Sequence, residues 1–230
     1  MEISPIAVIR TPFREKFGIP RQSGLVPALT GEIVFLPEFS QPEALRGLEA
    51  FSHLWLIWGF SEAKKQPNKG WSATVRPPRL GGNTRMGVFA TRSPFRPNPL
   101  GLSAVRLEQI HAAESPMRLT VSGIDLLDGT PIYDIKPYIP FADAIPDAAG
   151  GYTDQTITHI LHVDFPEALR QQLPEAMQET VTALLSQDPR PGYLDDPERE
   201  YGMQYENYDI RFRAACGSLT VTEIRRLPHT

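Results

Sequence analysis

The sequence predicts a mostly β protein: an antiparallel barrel or sandwich over residues 1–150, then a small α+β domain over residues 151–230. Three observations carry this reading. Short stretches rich in β-branched and aromatic residues recur at near-regular spacing up to about residue 140, bounded by Gly, Pro and Asn clusters. No strand–helix alternation appears, which argues against a parallel doubly wound sheet. The texture then changes at FADAIPDAAGGYTD (141–154), an acidic stretch punctuated by Gly and Pro that reads as a linker.

Taken in order, the predicted strands are ISPIAVIR (3–10), EIVFL (32–36), HLWLIWGF (53–60), WSATVRP (71–77), MGVFATR (86–92), LSAVRLEQIH (102–111), MRLTVSGIDLL (117–127) and PIYDIKPYI (131–139). One helix is expected among them, capped by Ser40, with Pro42 in its first turn and Leu45, Leu48 and Phe51 as its apolar stripe. RLGGNTRMG (79–87) reads as a hairpin turn feeding the strand at 86–92, and Asp128-Gly129-Thr130 as a hairpin reversal. In the second domain, THILHVDF (158–165) is a strand and 166–187 a helix restarted at Pro174. Leu173, Met177, Val181 and Leu184 or Leu185 form its face, and YENYDIRFRA (205–214) and SLTVTEIRRL (218–227) form a hairpin turning at Cys216-Gly217.

The 230 residues, 41% hydrophobic and 22% charged, describe an ordinary globular chain with no membrane-length apolar run and no signal-peptide pattern. The single cysteine, Cys216, rules out an internal disulfide and leads us to expect a reducing, cytoplasmic setting. The net charge of −4 hides a division. Residues 1–107 hold 14 Lys/Arg against 7 Asp/Glu, and residues 108–230 hold 9 against 20. From Ala63 to Leu107 there is no acid at all, yet nine cations occur and six of them are Arg. Such a stretch suits phosphate or carboxylate ligands. The competing reading is pairing with the acidic second half across the fold.

Familiar cofactor chemistry is missing. No G-x-G-x-x-G follows a strand and no G-x-x-x-x-G-K-[ST] occurs, so neither a dinucleotide-binding sheet nor a phosphate-binding loop is expected. His159 and His162 fall on opposite faces of a strand, and Cys216 has no nearby His, so we expect neither a metal site nor a thiol nucleophile. Three stretches remain: EKFGIPRQSGLVP (15–27) around Arg21 and Gln22; ATRSPFRPNPLGLS (90–103), whose prolines stiffen a loop bearing Arg92 and Arg96; and DLLDGTPIYDIKPY (125–138), with Asp125, Asp128 and Asp134. Fixed guanidinium donors, a side-chain amide and carboxylates on strand-end loops suit a small polar metabolite or nucleotide.

IAVIRTPFREKFGIPRQ (6–22), LEAFSHLWLIWGF (48–60), VRPPRLGG (75–82), MGVFATRSPFRPNPLGLS (86–103) and DLLDGTPIYDIKPY (125–138) together resemble the TsaA-like family, also called TrmO or YaeB, of S-adenosylmethionine-dependent tRNA methyltransferases. DPRPGY (188–193) and the closing hairpin extend the similarity through the second domain. The resemblance implies a closed antiparallel β-barrel that binds S-adenosylmethionine without a Rossmann sheet, and a homodimer with the cofactor near the subunit interface. It implies N(6)-methylation of a threonylcarbamoyladenosine 3′ of a tRNA anticodon. By the same resemblance, Pro20, Arg21, Gln22, Ser61, Glu62, Arg92, Leu102, Asp128, Gly129, Thr130 and Pro131 would contact the cofactor. Arg76, Arg79, Arg85, Arg96, Arg190 and Tyr193 are the candidates for the anticodon arm, bound through phosphates. Asp128 or Asp134 can accept the departing N(6) proton, or serve ribose binding or structure; the residues name no catalytic base. The rival readings are the same fold and cofactor with a small-molecule or protein acceptor, and a non-catalytic RNA- or nucleotide-binding module.

Overall fold

The computed structural model describes residues 2–60, 71–80, 82–155, 160–190 and 196–228. Its first part comprises β1 (Ala7–Arg10), β2 (Thr30–Phe35), β3 (His53–Gly59), β4 (Thr74–Val75), β5 (Met86–Gly87), β6 (Leu100–His111), β7 (Arg118–Ser122) and β8 (Pro131–Pro137). Among the described residues, six of these close an antiparallel barrel in the order β1-β2-β7-β6-β3-β8. Alternation explains the closure. In β3, Leu54, Leu56 and Trp58 point inward and are buried, while His53, Trp55 and Ile57 face outward. Ile9, Ile33, Leu119, Val121 and Ile132 meet them inside, each burial contributing about 1.5–3 kcal/mol. Gly101 is required opposite Trp58, because a Cβ there would lie 2.2 Å from the indole ring.

The second part comprises α1 (Pro140–Asp143), β9 (His162–Asp164), α2 (Glu167–Arg170), α3 (Glu175–Ser186), β10 (Tyr201–Tyr205), β11 (Tyr208–Ala215) and β12 (Ser218–Arg226). A four-stranded sheet, β10-β11-β12-β9, carries α3 through buried Val181, Leu184 and Leu185, with Leu173 buried beside them. The expected turn at Cys216-Gly217 is present, both residues at positive φ (50° and 78°), as a two-residue hairpin requires.

Several expectations are corrected. The stretch predicted as one helix behind Ser40 is three 3-10 turns, Pro37–Phe39, Pro42–Leu45 and Leu48–Ala50. Gly47 at φ 87° interrupts it, and the Ser40 hydroxyl accepts from the Met117 N–H instead of capping. The stretches 71–77 and 86–92 are not barrel strands: only Thr74–Val75 and Met86–Gly87 pair, as a two-residue ribbon outside the barrel. The chain at Val88–Ala90 coils into a 3-10 turn. The stretch 205–214 is split by a turn at Glu206, which sits at φ 51°, so β10 and β11 form a further hairpin. Asp128-Gly129-Thr130 is a turn but not a hairpin reversal, because β7 pairs with β2 and β6 whereas β8 pairs with β1 and β3.

Candidate active site at the loop end of the barrel

Strand register brings three long connections together. Thr30 pairs with Ser122, Ala7 with Ile132 and Gly59 with Leu100, so the connections 11–29, 60–99 and 123–130 all leave from one end of the barrel. Backbone bonds knit them. Gly24 N–H donates to Gly123 O, Asp128 N–H to Phe13 O, Gly129 N–H to Ile9 O and Phe60 N–H to Pro99 O. Asp128 Oδ1 accepts from the Thr11 N–H at 3.0 Å, and its other oxygen lies 3.5 Å from Arg10 Nη1. The Thr130 side chain is buried and donates to Leu127 O. The turn 128–131 therefore locks the exit of β1 to the entry of β8, and Gly129, at φ 76°, gives the turn its left-handed position.

Behind these loops runs a polar chain from the barrel interior. Trp58 Nε1–H donates to Ser103 Oγ at 2.9 Å, and the Ser103 hydroxyl donates to Asp125 Oδ1 at 2.6 Å. Burial pushes the Asp125 carboxyl up to about 6, opposed by the Ser103 bond, by the Ser23 backbone N–H and by the charge of Arg92. Arg92 Nη1–H donates to Gln22 Oε1, and the Gln22 amide donates back to Arg21 O. Asp125 thus ties the Ser23 segment to the barrel wall, and Arg92 is held to the same loop through Gln22.

In front of Gln22 and Arg92 opens a cleft of about 2020 Å³. It is lined by Pro20, Arg21 and Gln22 of the first connection, by Arg76, Phe89, Arg92 and Arg96 of the second, and by Asp188 and Arg190 of the second part. Of the positions expected at the cofactor, Pro20, Arg21, Gln22 and Arg92 are brought together here. Asp128, Gly129, Thr130 and Pro131 lie at the same barrel end but outside this cleft's lining. Leu102 is on the outer wall, 53% exposed and opposite Ile57. Ser61, Glu62, Tyr193 and the Arg79 side chain lie outside the described residues and atoms.

The arginines expected at RNA divide. Arg76 is exposed, as is Arg92, which was expected at the cofactor. Arg85 donates to Thr74 Oγ1 across the ribbon, and Arg96 donates to Thr91 O at 2.8 Å, closing its own loop. Arg190 pairs with Asp188 at 2.8 Å and donates to Ala214 O, while Arg21 reaches across to Asp188 O and Arg190 O. Asp134, on the outer face of β8 opposite Ile57, pairs with Lys136 at 3.0 Å and is absent from the cleft's lining. Sequence reasoning passed over Ser103 and Trp58, and left Asp125 without a role; the available signal was a lone carboxylate inside the apolar run Ile124–Leu127. It also passed over the exposed aromatics Trp71, Phe89 and Phe95, interleaved with the arginines. Among the described residues, no three His, Cys, Asp or Glu gather as a metal site, and no helix is long and apolar enough to cross a membrane.

A closed barrel whose loops present guanidinium groups and an amide around one open cleft, braced from behind by a buried carboxylate, defines a ligand-binding barrel built for anionic, polar partners, outside the Rossmann class. Comparison with known proteins sharpens this. The profile of the tRNA-methyltransferase O N-terminal domain matches residues 8–144, and that of the TrmO C-terminal domain matches residues 158–227. The chain is 42% identical over 228 residues to the tRNA (adenine(37)-N6)-methyltransferase of Escherichia coli K12, covering 96% of each. It is 47% identical over 218 residues to a putative S-adenosylmethionine-dependent methyltransferase of Pseudomonas aeruginosa, covering 91% of each. A crystal structure of TrmO from P. aeruginosa superposes with a TM-score of 0.79 at 39% identity, covering 98% of this chain and 97% of that one. The chain belongs to the tRNA-methyltransferase O family.

Proposed function

We propose that the chain is an S-adenosylmethionine-dependent tRNA (adenine(37)-N6)-methyltransferase whose acceptor is the threonylcarbamoylated form of that adenosine. The observation that carries this reading is the 42% identity across 96% of both chains with the E. coli enzyme. We take residues 1–150 as the cofactor-binding domain and 151–230 as a second domain, and the cytoplasm, where tRNA is modified, as its setting.

The donor set fits the cofactor. When bound, S-adenosylmethionine supplies a methyl group activated on a sulfonium. Arg92, exposed and oriented by Gln22, suits its carboxylate through paired charged hydrogen bonds. Pro20, Arg21 and Gln22 line the cleft beside it, and Asp128, Gly129, Thr130 and Pro131 would approach it from the same barrel end as a rigid turn, its N–H groups being bonded to Phe13 O, Ile9 O and Leu127 O. Asp125 holds the Ser23 segment next to Gln22, and the Gln22 amide oxygen orients Arg92, so the carboxylate-binding group is placed before ligand arrives. Arg76 and Arg96 line the same cleft for RNA phosphates. Leu102, Leu100, Ile57 and Trp55 form an apolar outer face, the surface a second copy would cover. In such a homodimer Leu102 would reach a cofactor site at the interface.

The test is methyl transfer by purified protein to tRNA with and without the threonylcarbamoyl group, read by nucleoside mass spectrometry. The reading expects product only from the modified tRNA. Equal methylation of plain adenosine would remove the threonylcarbamoyl assignment, and no methylation of either tRNA would remove the activity itself.

A further inference from the structure

Three large aromatic side chains stand out of the acid-free segment. Trp71, Phe89 and Phe95 are 56%, 71% and 60% exposed, although burying such rings is ordinarily favourable. All three line the cleft beside Arg76, Arg92 and Arg96. The Trp71 and Phe89 ring centroids lie 5.7 Å apart with planes inclined by 35°, leaving faces open to solvent.

Their backbone is held rather than loose. Thr74 pairs with Gly87 and Val75 with Met86, Val88 N–H donates to Ala73 O at 2.9 Å, and the Val88 side chain is buried. Thr91 Oγ–H donates to Val88 O, Phe95 N–H to Ser93 Oγ, and Arg96 to Thr91 O. Rigid aromatic faces among guanidinium groups, in a stretch with no carboxylate from residue 63 to 107, have the composition of a platform for single-stranded nucleic acid. Base faces stack on rings, and the neighbouring phosphates meet arginine.

We propose that Trp71, Phe89 and Phe95 form a stacking shelf for unpaired bases of an RNA loop, the nucleotides flanking the target adenosine, with Arg76 on their phosphates. The proposal rests on the tRNA reading above and names the subsite that reading lacks. Charge complementarity selects the occupant. In a two-fold dimer a patch meets itself, so arginines would face arginines here. The outer wall around Leu102 carries no such penalty and suits a second copy better.

The experiment uses the full chain, an anticodon stem-loop RNA, and the variants Trp71→Ala, Phe89→Ala and Trp71→Phe, with Phe141→Ala as an exposed aromatic elsewhere (92% exposed). RNA affinity, S-adenosylmethionine affinity and molar mass by light scattering are read for each. The alanine variants should weaken RNA binding by about 5- to 150-fold, the scale of one lost base stack. Trp71→Phe should recover most of that, Phe141→Ala should change nothing, and cofactor affinity and mass should stay constant. Unchanged RNA affinity in both shelf alanine variants overturns the proposal. So does a parallel loss of cofactor affinity, which would give the rings to the cofactor, or a drop in mass, which would give them to a second copy. RNA that binds through Trp71 but is never methylated supports the shelf while removing the methyltransferase reading, so the two can fail separately.

Discussion

Replacing Asp125 with Asn tests the buried carboxylate directly. The amide keeps an oxygen able to accept from Ser103 Oγ–H, so the chain from Trp58 survives while the charge is removed. The ordinary value of this acid is 3.8, and burial raises it to about 6 in the fold. Because the folded value is the higher one, the folded state holds the proton longer. The favourable contribution is therefore complete below pH ~4, declines as the pH rises through about 6, and is absent above. At 1.36 kcal/mol per unit the ionised group costs the fold up to about 3 kcal/mol, and about 2 kcal/mol once partial solvation is allowed for. For a chain of this size that corresponds to a Tm difference of about 4–8 °C. Calorimetry of wild type and Asp125→Asn at pH 4 and pH 8 should therefore show equal Tm at pH 4 and a higher Tm for the variant at pH 8. A pH-independent offset, or a variant less stable at pH 8, would refute the placement of this carboxylate as an ionised, desolvated group.

Other perturbations reach other parts of the site. Arg92→Ala should weaken S-adenosylmethionine binding by about 1.5–3 kcal/mol in titration calorimetry, and unchanged affinity removes Arg92 from the cofactor site. Leu102→Glu should convert a dimer to monomers in light scattering; a variant that stays dimeric moves the subunit contact away from the β3–β6 wall. Gly18→Ala should lower the denaturant midpoint by about 1–3 kcal/mol equivalent, because residue 18 sits at φ 92° and its Cβ would lie 2.5 Å from Met203 Cγ. A midpoint equal to wild type would mean that loop 11–23 does not bear on β10 as described.

The barrel was legible because its signal is local. Alternation in EIVF and HLWLIW reads directly as one face in and one face out, and the structure buries those faces. The failures share a different cause. WSATVRP and MGVFATR have strand-like composition, but strand identity needs a partner of matching length, and Pro77 and Pro78 at one end and the Val88–Ala90 turn at the other bound a ladder of two pairs. The helix behind Ser40 failed at Gly47, whose positive φ no apolar periodicity reveals. Asp125 could be seen as a carboxylate in an apolar run, but its partners Ser103 and Ser23 lie 22 and 102 residues upstream, joined only by register across the barrel end. Arg92 was legible as a candidate through the resemblance, whereas its bond to Gln22 spans 70 residues and belongs to the fold.

The arginines make the general point. Arg21, Arg92, Arg96 and Arg190 all line one cleft, and composition alone assigns them one task, binding anions. Geometry separates them. Arg190 is held in an ion pair with Asp188 and bonded to Ala214 O, so its charge is largely neutralised locally. Arg21 donates to two carbonyls across the cleft, fastening the loop that carries Gln22 to the second domain. Phe17, stacked on Tyr201 and Phe212, and the Glu206 N–H bonded to Pro12 O reinforce the same seam. Arg96 closes its own loop through Thr91 O, which keeps Phe95 and the shelf in register. Arg92, set by a neutral amide and exposed, keeps its positive charge directed at the cleft. A guanidinium binds a ligand carboxylate best where no protein carboxylate is bonded to it: Arg190 is in a direct ion pair with Asp188, whereas Arg92 and Asp125 act on each other only weakly through charge, so Arg92 stands ahead of Arg190.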